Sequence, residues 1–144
     1  MKNMKIFIDT NLVLDVLAQR EPFYTTSARI WELIENGELK GYLSATSITD
    51  IFYILKKHLG LGKAYDSLDK LLIVFDVAPV TEIDIRKALN IGLKDFEDSL
   101  QLACAERTGA EHLITRNKKD FTAETKVKIL DPEEFLLYLD TEDI

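Results

Sequence analysis

The residues Ile6, Phe7 and Ile8, followed at once by Asp9, constrain the fold of this chain more than any other segment. Three consecutive apolar residues between polar neighbours are typical of a short strand that is buried on both faces. In open parallel sheets, the binding crevice lies beyond the carboxyl ends of the strands. We therefore expect Asp9 at a functional site, with Thr10 and Asn11 beside it as hydrogen-bonding neighbours.

The bulk composition is that of an ordinary globular protein. The 144 residues suit a single domain, 1–144, in which we expect residues from about 5 to 139 to form the ordered core. The net charge of −7 disfavours non-specific binding of nucleic acid through overall charge. A local basic groove is still compatible with that charge, and a group of carboxylates that binds cations would itself make a protein acidic.

The single cysteine, Cys104, allows no internal disulfide and favours a reducing compartment. The apolar run near the N-terminus is only three residues long and ends at Asp9, which is typical neither of a signal peptide nor of a membrane span. We expect a soluble, cytoplasmic protein that does not bind a membrane.

Strand signals alternate with helix signals along the rest of the chain. After the first strand, short apolar runs predict further strands at residues 41–44, 73–77, 112–115 and 127–130. Helical patterns with capping residues separate these runs. The alternation predicts an α/β fold with a mostly parallel central sheet that is covered by helices on both faces.

Acidic residues recur at the ends of elements that should meet at one edge of this sheet. The acidic residues are Asp9, Asp50 early in the helix after the second strand, and Asp95 and Asp98 at the start of the helix before the fourth strand, and the turn after that strand adds the polar Asn117 or the acidic Asp120. Converging carboxylates repel one another unless a cation neutralises them. Mg²⁺ and Mn²⁺ take oxygen ligands of this kind, and they suit metal-assisted hydrolysis of a phosphodiester.

Each acid also has a purely structural interpretation. Asp95 and Asp98 fit a helix-capping pattern, and Asp50 could lie in a solvated first turn that the helix dipole favours. Asp9 is the strongest single candidate, because a charge that abuts a buried strand is costly unless it has a purpose. Three basic residues flank the last acidic position and could contact phosphates or simply form a solvated turn: Arg116, Lys118 and Lys119.

The chain resembles a PIN domain over about residues 5–139. Five segments carry the resemblance through their order and spacing: IDTNLVLD at 8–15, SATSITDIFY at 44–53, DFEDSLQ at 95–101, ITRNKKDF at 114–121 and LDPEEFL at 130–136. The resemblance implies a three-layer α/β/α sandwich and a ribonuclease that depends on Mg²⁺ or Mn²⁺. It further implies a toxin of the VapC type, inhibited by a small antitoxin and usually dimeric.

The resemblance also assigns roles to individual residues. It implies that Asp9 is the first metal ligand and Asp98 the third acid, with Asp95 as a further candidate beside it. Asp50 stands where the family usually has glutamate, and being one methylene shorter it would reach the metal through water. Thr115 and the turn after it match the last motif.

One position departs from the family pattern. Asn117 stands where many members have aspartate, which leaves Asp120 as the nearest acid. A second metal would then bind weakly, or only with substrate, and activity would be low. We expect Thr10 and Thr115 to orient carboxylates or water.

Two other functions fit parts of the pattern. Phosphatases of the haloacid dehalogenase type also begin with an aspartate after a first strand, but they use a second aspartate two residues later, where this chain has Asn11. A PIN-like module with a decayed site, acting through a protein partner, is supported by Asn117 and by the sequence pI of about 4.9. The sequence favours the metal-dependent endoribonuclease over both.

Overall fold

The structure of this chain is a computed structural model, and it describes residues 4–142, without the side chain of Glu142. Residues 1–3 and 143–144 of the predicted domain lie outside the described residues. The strands are β1 (Met4–Ile8), β2 (Leu39–Ser44), β3 (Asp76–Ala78), β4 (His112–Ile114) and β5 (Lys128–Leu130). The helices are α1 (Thr10–Leu17), α2 (Tyr24–Glu35), α3 (Ala45–Leu59), α4 (Leu61–Val74), α5 (Glu82–Ile91), α6 (Phe96–Thr108) and α7 (Pro132–Glu142), with a 3₁₀ turn at Lys118–Asp120.

The five strands form one parallel sheet in the order β3-β2-β1-β4-β5. Strand β1 lies at its centre, paired with β2 on one side and with β4 on the other. The strand order therefore reverses between β1 and β4, which is the switch point where open α/β sheets bind ligands. Asp9 follows β1 and Thr115 follows β4, so both residues lie at this point.

Side chains of β1 alternate between the two faces of the sheet, as the pleat of a strand requires. Ile6 and Ile8 pack into a core formed with α1, α2, α3, α4 and α7. Phe7 packs on the opposite face against α6, where Cys104 is fully buried, as expected of a core residue. The sheet thus has helices on both faces, which confirms the predicted three-layer α/β/α sandwich.

The strand predicted at residues 73–77 is wrong in its first half. Ile73 and Val74 form the last turn of α4, and β3 begins only at Asp76. The amide of Phe75 still donates to the carbonyl of Leu71 at 2.8 Å, so the helical hydrogen bonds continue through the apolar run. Ile73 is 83% exposed, which shows that its apolar character reflects no core position.

None of the helices described between residues 4 and 142 combines the length and the apolar character needed to cross a membrane.

Candidate active site

A cleft of about 370 Å³ opens at the switch point between β1 and β4. We call it the acidic cleft, and its polar lining consists of Asp9, Thr10, Asn11, Asp50, Tyr53, Asp95, Glu97, Asp98, Asn117 and Asp120. These residues come from four separate parts of the chain, carried by the start of α1, by α3, by the start of α6 and by the turn after β4. The structure therefore brings together every acid that the sequence singled out.

Asp9 is the most buried of these acids, with 5% of its surface exposed. The amide Nε2 of Gln101 donates to Asp9 Oδ1 at 3.1 Å, and the hydroxyl of Thr115 donates to Asp9 Oδ2 at 2.8 Å. The backbone amide of Asn117 donates to the same hydroxyl at 3.1 Å, which leaves the hydroxyl proton free to point at Asp9. Thr115 thus orients a carboxylate as expected, although it is buried behind the cleft wall.

Asp95 and Asp98 lie at the start of α6. The carboxylate of Asp95 accepts a hydrogen bond of 2.8 Å from the amide of Glu97, so Asp95 caps the helix as its structural interpretation predicted. Burial raises the pKa of the Asp98 carboxyl to about 7, and the nearby charges of Asp9, Asp95 and Asp120 add to the increase. Asp98 therefore lies among like charges, where a cation would favour its ionised form.

Glu97 is a site residue that the sequence analysis missed. Burial raises its pKa to about 8, helped by a side-chain hydrogen bond to Asp50 and by the charges of Asp50, Asp95 and Asp9. A proton held between Glu97 and Asp50 would relieve the repulsion of these two acids. Glu97 could have been found as the acid between Asp95 and Asp98, but a first-turn glutamate is also what the helix dipole favours.

Thr10 lines the acidic cleft and also links two elements of the fold. Its hydroxyl donates to Ser47 Oγ at 2.7 Å rather than to a carboxylate. Ser44 in turn caps α3 by accepting from the amide of Ser47 at 3.3 Å. Thr10 therefore joins the end of β1 to the start of the helix that carries Asp50, and it positions that acid only through the backbone.

Two of the three predicted phosphate contacts are engaged in ion pairs. Arg116 Nε lies 3.0 Å from Oδ2 of the fully buried Asp15, and its guanidinium lies 4.0 Å from the ring centre of Phe23. Lys118 Nζ lies 2.8 Å from Glu134 Oε1. Within residues 4–142, Lys119 makes no ion pair, so it stays available to a phosphate.

The donor set of the acidic cleft fits a hard divalent cation. The groups that line it offer carboxylate and amide oxygens, and no lysine or arginine in residues 4–142 pairs with Asp9, Asp50 or Asp98. In the same residues, no group of three or more His, Cys, Asp or Glu side chains is already arranged to hold a metal ion. An open arrangement of this kind suits an ion that retains several of its waters, as Mg²⁺ does.

Comparisons with known proteins agree with the fold. Ribonuclease VapC1 of Aquifex aeolicus is 23% identical over 140 residues, covering 94% of this chain and 95% of the relative. A chain of the DNA-bound VapBC structure from Salmonella typhimurium superposes with a TM-score of 0.70 and 14% identity, over 90% of this chain and 98% of that one.

A chain of FitAcB from Neisseria gonorrhoeae has a TM-score of 0.66 and 20% identity, over 89% of this chain and 98% of its own length. Both structural likenesses concern the fold. The family model described as PIN domain matches residues 5–119, which is most of the chain and contains every acid of the cleft except Asp120. The protein whose first strand ends at Asp9 therefore belongs to the PIN domain family.

Proposed function

We propose that this protein is an endoribonuclease that depends on Mg²⁺ or Mn²⁺ and hydrolyses phosphodiester bonds of RNA. The observation that carries the proposal is that Asp9 and Asp98, which are 89 positions apart in the chain, line one uncompensated acidic cleft at the switch point of the sheet. The similarity to a relative named as a ribonuclease supports the choice of RNA as substrate.

In this proposal Asp9 and Asp98 hold the cation directly, and Asp50, Asp95 and Asp120 assist through water. A bound ion would supply a lowered pKa for an attacking water and charge stabilisation for the leaving oxygen. Thr115 holds the Asp9 carboxylate in one orientation. A bound cation would favour the ionised forms of Glu97 and Asp98, because their raised pKa values reflect burial and repulsion that its charge would offset.

The rim of the cleft suits unpaired nucleotides. Tyr53 borders the acidic cleft from α3, and Phe96 borders an adjoining cavity that also contains Lys94, Asp95, Asp98 and Asp120. Both aromatic rings are exposed, and Lys94 makes no ion pair among the described residues. Aromatic side chains stack on the bases of single strands without regard to sequence, and lysines contact the phosphates. Lys94 and Lys119 are therefore the better candidates for phosphate contacts in place of Arg116 and Lys118.

The proposal includes a protein partner. Two of the similar structures are named VapBC and FitAcB, and a likeness in fold to chains of these proteins supports a toxin that is inhibited by a small antitoxin. A homodimer and a cytoplasmic location belong to the same proposal. The homodimer follows from the resemblance to VapC-type toxins, and the cytoplasmic location follows from the single cysteine, which is free and buried.

The test uses protein purified free of any antitoxin. We expect cleavage of a single-stranded RNA in the presence of Mn²⁺ or Mg²⁺, inhibition by EDTA and slower cleavage of a duplex of the same sequence. Asp98→Asn should abolish cleavage, whereas Asp69→Asn makes the same chemical change at an exposed position of α4 and should have no effect. Divalent-metal binding without any RNA cleavage would instead favour the PIN-like binding module.

A further inference from the structure

We infer that Gln101 is a positioning residue that holds Asp9 for the cation without cancelling its charge; this inference rests on the proposed function. Gln101 lies on α6, and 1% of its surface is exposed. Its amide Nε2 donates to Asp9 Oδ1 at 3.1 Å, across 92 positions of sequence. The same helix carries Asp98 one turn earlier, so a single rigid element sets one acid of the cleft and orients another.

The first part of the argument is geometric. Thr115 already fixes Asp9 Oδ2 from the end of β4, and Gln101 fixes the other oxygen from α6. A carboxylate with both oxygens engaged by separate elements cannot rotate freely about its terminal bond. Its remaining lone pairs therefore keep a constant direction, which is what coordination of a metal requires.

The second part of the argument concerns charge. Among the described residues, Asp9 receives hydrogen bonds from side chains only through a neutral amide and a neutral hydroxyl. A lysine or arginine at position 101 would orient Asp9 equally well, but it would neutralise the carboxylate and repel a cation. The amide is the side chain that supplies direction while it leaves the negative charge available.

The third part of the argument is that packing does not explain the residue. The carbonyl oxygen Oε1 of Gln101 is buried, and no group within residues 4–142 donates a hydrogen bond to it. An unpartnered buried carbonyl is unfavourable for folding, so an apolar side chain of the same length would be the better structural choice. The amide at this position is thus accounted for by what it does to Asp9.

The test compares Gln101→Met, which keeps the length but loses the amide, with the wild type. Isothermal titration of metal-free protein with Mn²⁺ should show an affinity lowered by roughly 10–100-fold, the range seen when partners of metal ligands are removed. RNA cleavage should fall at limiting Mn²⁺ and recover substantially at saturating Mn²⁺, with the KM for RNA unchanged. Thermal unfolding should show that the variant is folded at the temperature of these measurements. Gln19→Met makes the same chemical change at an exposed position and serves as the control.

A second variant covers the case in which Gln101→Met does not fold. Gln101→Asn keeps an amide in the core but is one methylene shorter, so it should lose the contact with Asp9 and weaken Mn²⁺ binding as well. Wild-type affinity for Mn²⁺ in either folded variant would overturn the inference while leaving the proposed function intact. Failure of the wild-type protein to bind Mn²⁺ would overturn both.

Discussion

Asp9 at the start of α1 and Asp15 within it are both buried, but the two carboxylates have opposite kinds of partner. Asp9, just before the helix, is 5% exposed and is hydrogen-bonded by the neutral groups of Gln101 and Thr115. Asp15, inside the helix, is fully buried and lies 3.0 Å from Nε of Arg20 and 3.0 Å from Nε of Arg116. Two arginines therefore balance the charge of Asp15, whereas only neutral side chains among the described residues contact the carboxylate of Asp9.

The difference teaches how to separate a functional carboxylate from a structural one. A buried charge is costly, and pairing it with guanidinium groups offsets most of that cost. Arg20 and Arg116 offset the charge of Asp15, and these contacts join α1 to the segment after it and to the turn after β4. No lysine or arginine among the described residues pairs with Asp9, and the neighbouring acids add to the local repulsion. The uncompensated charge at Asp9 is what our proposal assigns to a bound cation.

The largest effect is expected for catalysis. Asp9→Asn should lower RNA cleavage by more than about 100-fold, beyond the range expected for partners of metal ligands. It should leave the melting temperature equal or raise it, because Gln101 can turn its free carbonyl towards the new amide and because repulsion falls. Cleavage rates and thermal unfolding measured on the same sample check both parts. A large loss of stability would place Asp9 with Asp15 as a structural residue.

Asp15→Asn should have the opposite effects, with a loss of stability and little change in activity. We expect the free energy of unfolding to fall by about 3 kcal/mol, at the lower end for a broken buried ion pair. The lower end applies because the side chains of Arg20 and Arg116 are 37% and 24% exposed and can be solvated. Urea denaturation measures the change, and cleavage per folded molecule should stay near the wild-type rate. Loss of activity without loss of stability would break the comparison.

The pH dependence of stability tests the acidic cleft without any substrate. The pKa values of Asp98 and Glu97 are raised in the folded state to about 7 and about 8, so their favourable contribution is lost as the pH rises through these values. Burial lowers the pKa of His112, and its opposing contribution fades as the pH rises above about 6.5, the pKa of an unfolded histidine.

The melting temperature of metal-free protein should therefore fall between about pH 6.5 and 8.5. The double variant Asp98→Asn with Glu97→Gln should flatten this dependence, as differential scanning fluorimetry across the pH range would show. A slope that persists unchanged in the double variant would mean that other groups crowd the cleft.

The smallest effect is expected for a substitution of Arg116, and it tests whether this residue contacts Asp15 or the substrate. Arg116→Lys keeps a positive charge that can meet a phosphate, but it loses the two-point contact with Asp15. We expect a loss of about 1 kcal/mol in unfolding free energy and an unchanged KM for RNA. An increase in KM with a weaker salt dependence would instead assign Arg116 to the substrate.

The sequence predicted the parts of this structure that depend on local pattern. Asp9 could be placed because a buried strand ends directly before it, and the layers followed from the alternation of strands and helices. The apolar run at Ile73 and Val74 was misread because β-branched residues favour strands, while hydrogen bonds of α4 carried the helix through them. Local sequence pattern predicts secondary structure poorly where tertiary packing determines it.

The sequence analysis missed other residues for a different reason. Asp15 sits within an apolar helix, and its partner Arg116 lies 101 positions away. Gln101 contacts a residue 92 positions away, and nothing in its own segment indicates that contact. Glu97 was hidden by the ordinary preference of acids for the first turn of a helix. Side-chain contacts across such distances depend on the folded topology, which spacing alone does not reveal.

The most direct test is a crystal structure of the protein soaked with Mn²⁺, with the ion located by its anomalous scattering. We expect an Mn²⁺ ion in the acidic cleft at coordination distance, about 2 Å, from carboxylate oxygens of both Asp9 and Asp98. Both hydrogen bonds to Asp9 should be retained in that complex. An ion bound elsewhere, or one that Asp9 does not contact, would contradict the central claim that segments far apart in the chain fold to share a single cation.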